Sequence, residues 1–225
     1  MPTFSLPNPP LRAVVFDLDG LMFNTEDLYQ QVGREILARR GKTFTDDLLV
    51  QMMGRKSPEA LQLMIDWHQL SETPQELTDE SMKIIFGLLP EQLKPLTGLL
   101  SLLDALEAAN LPKGIATGSS RPFVDHVLAQ FDLEPRFAFT LAAEDITHGK
   151  PAPDIYQLAA QKHQRKPAEI MVLEDSQIGC QSAIAANCYV VAIPGGQYDE
   201  RLFSDTQLIA DSLADERIYE ALNIL

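Results

Sequence analysis

Ala13-Val14-Val15-Phe16-Asp17-Leu18-Asp19-Gly20 sets four apolar residues in a row directly before two carboxylates and a glycine. A short run that is apolar at every position and rich in β-branched side chains predicts a strand buried on both faces, the habit of parallel sheets. Residues two apart on an extended chain point the same way, so Asp17 and Asp19 can face one site. Gly20 then lets the chain turn away without a side chain in the cleft.

Further apolar runs at 114–117, 137–141, 170–173 and 189–193, with a weaker one at 207–210, have the same character. Between them, 99–109, 122–131, 154–163 and 178–186 carry helical spacing. Strand alternating with helix implies a parallel sheet covered on both faces. Right-handed crossovers make it a doubly wound, Rossmann-like α/β fold. Between the first two runs, residues 27–94 are helical in pattern at 28–39, 46–53, 58–67 and 76–88, punctuated by Gly41, Gly54 and the stretch 71–74. One crossover needs only one helix. The chain therefore divides into an α/β core, 11–26 with 95–225, and an inserted helical domain, 27–94, whose interior is expected to include Trp67 and Met52-Met53.

Open α/β sheets hold ligands at the carboxyl ends of their strands. After the second run come Thr117-Gly118-Ser119-Ser120, hydroxyls and backbone N–H groups suited to an oxyanion. Lys150 precedes Pro151, and Glu174-Asp175 follow the fourth run. Gathered at one edge, so many carboxylates repel one another by about 4 kcal/mol per pair at close range and require a cation. Hard oxygen ligands in small number point to Mg²⁺. The chemistry expected is phosphoryl transfer. Asp17 is the nucleophile and Asp19 the general acid/base, while Thr117, Lys150, Gly118 and Ser119 hold phosphoryl oxygens. Asp17, Asp19 (through its main-chain oxygen), Glu174 and Asp175 bind the metal. Two decoys drop out. Gly41-Lys42-Thr43 resembles the end of a P-loop, but Ile36 stands where its earlier glycine belongs, and no serine lies in a GxSxG.

The formal net charge of the 225 residues is −14, with no basic run, which excludes the counterion-displacing stripe of a nucleic-acid binder. It also means that an anionic substrate needs local positive charge, which Lys150 and the metal supply. No stretch approaches the ~20 apolar residues of a membrane span. The opening MPTFSLPNPP has no basic start or apolar block and reads as a loose lead-in rather than a secretion signal. Two cysteines, Cys180 and Cys188, without a CxxC, fit a reducing cytoplasm. The four histidines are scattered and are expected at the surface or in loops.

These residues resemble the haloacid dehalogenase superfamily over nearly the whole chain. FDLDG (residues 16–20), IATGSS (115–120), HGKPAPDIY (148–156) and LEDS (173–176) look like its four motifs in order. DGLMFNTEDLY and MMGRKSPEAL are most similar to its pseudouridine-5′-phosphatase-like and β-phosphoglucomutase-like branch. The resemblance implies that the helical insert is a substrate-selecting cap, in which Arg55 and Lys56 contact substrate. Asn24 replaces the branch's usual loop-supporting aspartate. Tyr29 replaces the histidine of its mutases, which tilts the reading towards a phosphatase. A Mg²⁺-dependent phosphatase for a small phosphorylated metabolite, a monomer or weak dimer, is the expectation. The alternatives are a sugar phosphomutase, a dehalogenase (against which Asp19 and Glu174 argue) and a silent phospho-ligand binder.

Overall fold

The computed structural model describes residues 6–52, 57–196 and 198–224. Among the described residues six strands form one sheet: β1 (Ala13–Phe16), β2 (Lys113–Ala116), β3 (Thr140–Leu141), β4 (Ile170–Glu174), β5 (Tyr189–Ala192) and β6 (Leu208–Ile209). Their order is β3-β2-β1-β4-β5-β6, and every pairing is parallel. β1 therefore lies centrally, with Val15 opposite Gly114 on one side and Val172 on the other. The strand order reverses at β1, which is where such sheets open a crevice at their carboxyl ends.

All four residues of β1 are buried, as both-face coverage requires. Ala13 and Val15 join a core with Ile155, Tyr156, Ala159 and Ala160 of α7 (Asp154–His163) and Cys180 and Ala183 of α8 (Gln177–Ala185). Phe16 turns to the opposite side, where its ring meets Phe137 edge-on at 6.0 Å. The α/β unit is completed by α5 (Leu99–Ala108), α6 (Arg121–Ala129) and α9 (Glu216–Leu222). The expected strand at 137–141 is shorter than its apolar pattern. Pro135 opens a 3₁₀ turn over Glu134–Arg136, and regular strand geometry is confined to Thr140–Leu141. The ladder nonetheless starts earlier, with the Ala138 N–H donating to the Lys113 carbonyl.

The chain separates into two compact units, the boundaries falling after Phe23 and after Lys94. The helical unit holds α1 (Thr25–Ala38), α2 (Asp46–Met52), α3 (Ser57–His68) and α4 (Pro74–Gln92). α4 starts sharply because Thr73 and Glu76 form a reciprocal capping box and Pro74 takes the first helical position. Arg40, at the end of α1, reaches Glu72 and Glu80 at 2.7 Å each. Leu28, Val32, Ile36, Leu48, Met64 and Ile85 form the unit's interior.

Trp67 is not part of that interior: it is 47% exposed. On α3 the buried stripe runs through Leu61, Met64 and Ile65, and a helix turns ~100° per residue, so position 67 points away from it. Met52 is half-buried, and Met53 lies outside the described residues. His163 also departs from expectation. It sits half-buried at the end of α7 with its ring 4.6 Å from that of Phe139, and burial pushes its pKa down to about 4. Both cysteines are free and buried, and burial raises both thiols, Cys188 to about 12. Among the described residues no helix is long and apolar enough to cross a membrane.

Candidate active site

Asp17 follows β1 immediately, and its N–H donates to the Leu173 carbonyl of β4, so its position is fixed by the sheet itself. Glu174 is the last residue of β4. Thr117 follows β2, its N–H bonded to the Leu141 carbonyl of β3. Lys150 arrives from the loop before α7, joined to Pro151 by a cis peptide bond. Gly20, expected to turn the chain away, does so at φ +73°, in the left-handed region that favours glycine.

Lys150 is the centre of the arrangement. Its ammonium donates to Asp17 Oδ1 at 2.5 Å, to Glu174 Oε1 at 2.6 Å and to the Ala116 carbonyl at 3.1 Å. All three side chains are buried, Glu174 completely. The two neighbouring carboxylates outweigh the burial of Lys150, and its pKa is raised, so it remains charged. Asp17 responds in the opposite sense. Burial, followed by the charges of Glu174 and Asp19, pushes it up to about 8 against the pull of Lys150. One ammonium does not balance this many carboxylates.

Glu174 has no unused acceptor. Oε1 accepts from Lys150 Nζ and from the Tyr156 hydroxyl at 2.7 Å, and Oε2 accepts from the Ser176 N–H at 3.2 Å and the Ser176 hydroxyl at 3.0 Å. A carboxylate offers about four lone-pair positions, so these donors fill it. Ser176 in turn caps α8 by accepting from the Gly179 N–H at 3.1 Å.

Asp19 stands on the other flank. Its Oδ2 accepts from the Ser119 hydroxyl at 2.6 Å and the Thr117 hydroxyl at 3.2 Å, while Thr117 Oγ1 accepts from the Ser119 N–H at 3.0 Å. Thr117 and Ser119, expected to face an anion, are thus also the groups that hold Asp19. The sequence places Gly118 between them, where a Cβ would meet nothing within 4 Å. Arg55 and Lys56 fall outside the described residues.

Asp17, Glu174 and Asp175 each bring one carboxylate oxygen within 4.8 Å of the others. A divalent cation fits this cluster on chemical grounds: hard oxygen donors and an excess of negative charge, with Asp17 pushed up to about 8 by burial and then by the charges of Glu174 and Asp19. Of the three, Glu174 already accepts from four protein donors. Sequence pattern assigns no role to Tyr156 or Gly179, whereas Ser176 is a helix-capping residue by type and caps α8 as such. Tyr156 and Gly179 lie in or beside the quoted motifs, but what they do depends on the side chain of Glu174.

Compared with known proteins, residues 14–193 match the family model of haloacid dehalogenase-like hydrolases. The chain belongs to that family and is an enzyme of its hydrolase class. It is 30% identical over 217 residues to a Drosophila melanogaster protein named as a probable pseudouridine-5′-phosphatase, covering 92% of this chain and 94% of the relative. It is 28% identical to the fructose-1-phosphate phosphatase YqaB of Escherichia coli, covering 80% and 95%. It spans only 54% of the length of the bifunctional riboflavin kinase/FMN phosphatase of Arabidopsis thaliana, to which 91% of it is 26% identical. Among solved structures, a β-phosphoglucomutase from Clostridium difficile superposes with a TM-score of 0.76 at 21% identity, covering 95% of this chain and 97% of that one, a likeness of fold.

Proposed function

We propose that this enzyme is a Mg²⁺-dependent phosphatase that hydrolyses a small sugar or nucleoside phosphate through a phosphoaspartyl intermediate on Asp17. The observation carrying this reading is the buried Asp17–Lys150–Glu174 set at the switch point of the sheet, with Asp175 beside it. The names of the relatives, phosphatases of a nucleoside and a sugar phosphate, support the substrate class.

In the first half-reaction an Asp17 oxygen bonds to phosphorus as the P–O bond to the leaving alcohol breaks, and protonated Asp19 gives its proton to that oxygen. In the second, Asp19 takes a proton from water as the water oxygen bonds to phosphorus. The Asp17–phosphorus bond breaks, releasing inorganic phosphate and restoring the Asp17 carboxylate. Lys150 offsets charge on the transferring group, and Thr117, Gly118 and Ser119 are assigned to its oxygens. Asp17, Asp175 and the main-chain oxygen of Asp19 would hold Mg²⁺, with Glu174 behind them fixing Lys150. When bound, the ion supplies charge neutralisation at the phosphoryl oxygens. The helical unit is assigned the choice of substrate.

Release of inorganic phosphate from a panel of phosphorylated sugars and nucleosides, with and without EDTA, tests this. Turnover that EDTA abolishes is expected. No turnover of any panel member, or turnover indifferent to chelator, would overturn the reading. A phosphomutase would instead return an isomerised phosphate faster than free phosphate. Tyr29, standing where mutases carry histidine, speaks against that outcome.

A further inference from the structure

Tyr156 is the largest fully buried side chain of the protein's described residues, and it spends its polar end on the active site. Its hydroxyl donates to Glu174 Oε1, the same oxygen that accepts from Lys150 Nζ. Its ring lies under that ammonium, 5.0 Å from nitrogen to centroid. One residue on α7 therefore touches both partners of a buried ion pair from two directions. A buried phenol could be satisfied by any carbonyl. Here it is spent on a carboxylate that already has three other donors.

We infer that Tyr156 is a positioning residue that sets how strongly Lys150 is drawn towards Glu174 rather than towards Asp17 and the phosphoryl group. The inference rests on the proposed phosphatase reading. Glu174 Oε1 shares its negative charge between two donors. Removing the hydroxyl leaves that charge to Lys150 alone, and the ammonium retreats from Asp17, 2.5 Å away on its other side. The π-face under the ammonium offsets part of its desolvation without binding it in a fixed direction. The consequence is specific. In the transition state the negative charge is spread over the equatorial oxygens of the transferring group, where a fixed ammonium acts on it, so a retreating Lys150 lowers kcat more than it weakens ground-state binding.

Tyr156→Phe keeps the ring, its volume and the cation–π contact, and deletes only the hydroxyl. Steady-state hydrolysis of p-nitrophenyl phosphate with Mg²⁺ should show kcat reduced about tenfold, a hydrogen bond to a charged group being worth at least that, with KM within about twofold. Inhibition by orthovanadate, which adopts the trigonal-bipyramidal shape of the transferring group, should weaken in parallel. Inhibition by inorganic phosphate should change little. Rates are taken per folded molecule from a thermal unfolding curve. A lower Tm with unchanged kcat marks a packing role and overturns the inference, as does a loss carried by KM. No phosphate release by the wild type would overturn the phosphatase reading itself, and the role of Tyr156 with it. Release by the wild type with an unaltered Tyr156→Phe kcat overturns the role of Tyr156 alone.

Discussion

Gly179 on α8 lies so close to the carboxylate of Glu174 that a methyl group on its Cα would overlap both carboxylate oxygens. Two effects compete in Gly179→Ala. Replacing glycine inside a helix normally stabilises by about 0.8–1 kcal/mol. Glu174 cannot step aside, because four donors hold its oxygens, so the overlap falls on the β4–α8 junction, where overpacking costs about 1–3 kcal/mol. The variant is expected to be less stable than wild type in urea unfolding. Its turnover should fall by about 10–100-fold through displacement of Lys150, since losing one transition-state donor costs 10²–10³. A variant more stable than wild type, with full activity, would refute this account of the junction.

What the sequence makes legible is the frame. Apolar runs followed by Asp17, Thr117 and Glu174 locate strand ends, because a parallel strand buried on both faces is apolar along its length and carries its polar residue at its carboxyl end. The contacts between side chains are not legible, because they depend on which strands lie side by side. With β1 between β2 and β4, Lys150 from one loop meets Asp17 and Glu174 from two strands. Trp67 misled because a large apolar residue on a helix suggests interior, whereas the phase of Leu61, Met64 and Ile65 turns it outward. His163 misled in the opposite way, because it lies at the end of a helix, yet Phe139 covers it.

Lys150 looks from sequence like a side chain reaching for phosphate. In the fold it is also the counter-charge of two buried carboxylates. Lys150→Met keeps the stem and removes the charge, leaving Asp17 and Glu174 buried without their shared counter-charge. Breaking a buried pair in this way costs about 3–5 kcal/mol. The variant should unfold at distinctly lower urea concentration than wild type and should be inactive at every substrate concentration. An inactive variant of wild-type stability would mean that the carboxylates do not depend on this ammonium.

Asn24 uses both ends of its amide. Its Nδ2 donates to the Gln92 carbonyl at 3.3 Å and its Oδ1 accepts from the Lys94 N–H at 2.7 Å, tying the start of α1 to the last residue of α4 and the segment that follows it. An aspartate can make only the second bond and would set a negative oxygen against the Gln92 carbonyl. Asn24→Asp is therefore expected to destabilise the protein by about 1–2 kcal/mol, the cost of a lost bond and an unsatisfied carbonyl. Amide hydrogen exchange at Leu93, at the released end of α4, should accelerate, with the α/β unit unaffected. Unchanged exchange there would show that the amide's double use carries no weight.

Asp17 leads to a prediction for how the site depends on pH and on Mg²⁺. Its carboxyl starts from 3.8 and is pushed up to about 8 in the folded protein, first by burial and then by Glu174 and Asp19. Between those values the folded state holds a proton that the unfolded chain has released, so Asp17's favourable contribution is complete below 3.8. It erodes as pH rises and is gone above about 8. Metal-free wild type should therefore lose stability between about pH 5 and pH 8. Asp17→Asn should flatten that loss while cutting turnover by more than about 10³-fold, as removal of a nucleophile does. A divalent ion binds only the ionised carboxylate and stabilises the folded form by mass action, so Mg²⁺ should raise Tm more near pH 8 than near pH 5. In Asp17→Asn the Mg²⁺-dependent rise should shrink at both. A Tm that ignores Mg²⁺ in the wild type at every pH would remove the metal from this cluster. A pH slope identical in wild type and Asp17→Asn would return the raised carboxyl to some other residue.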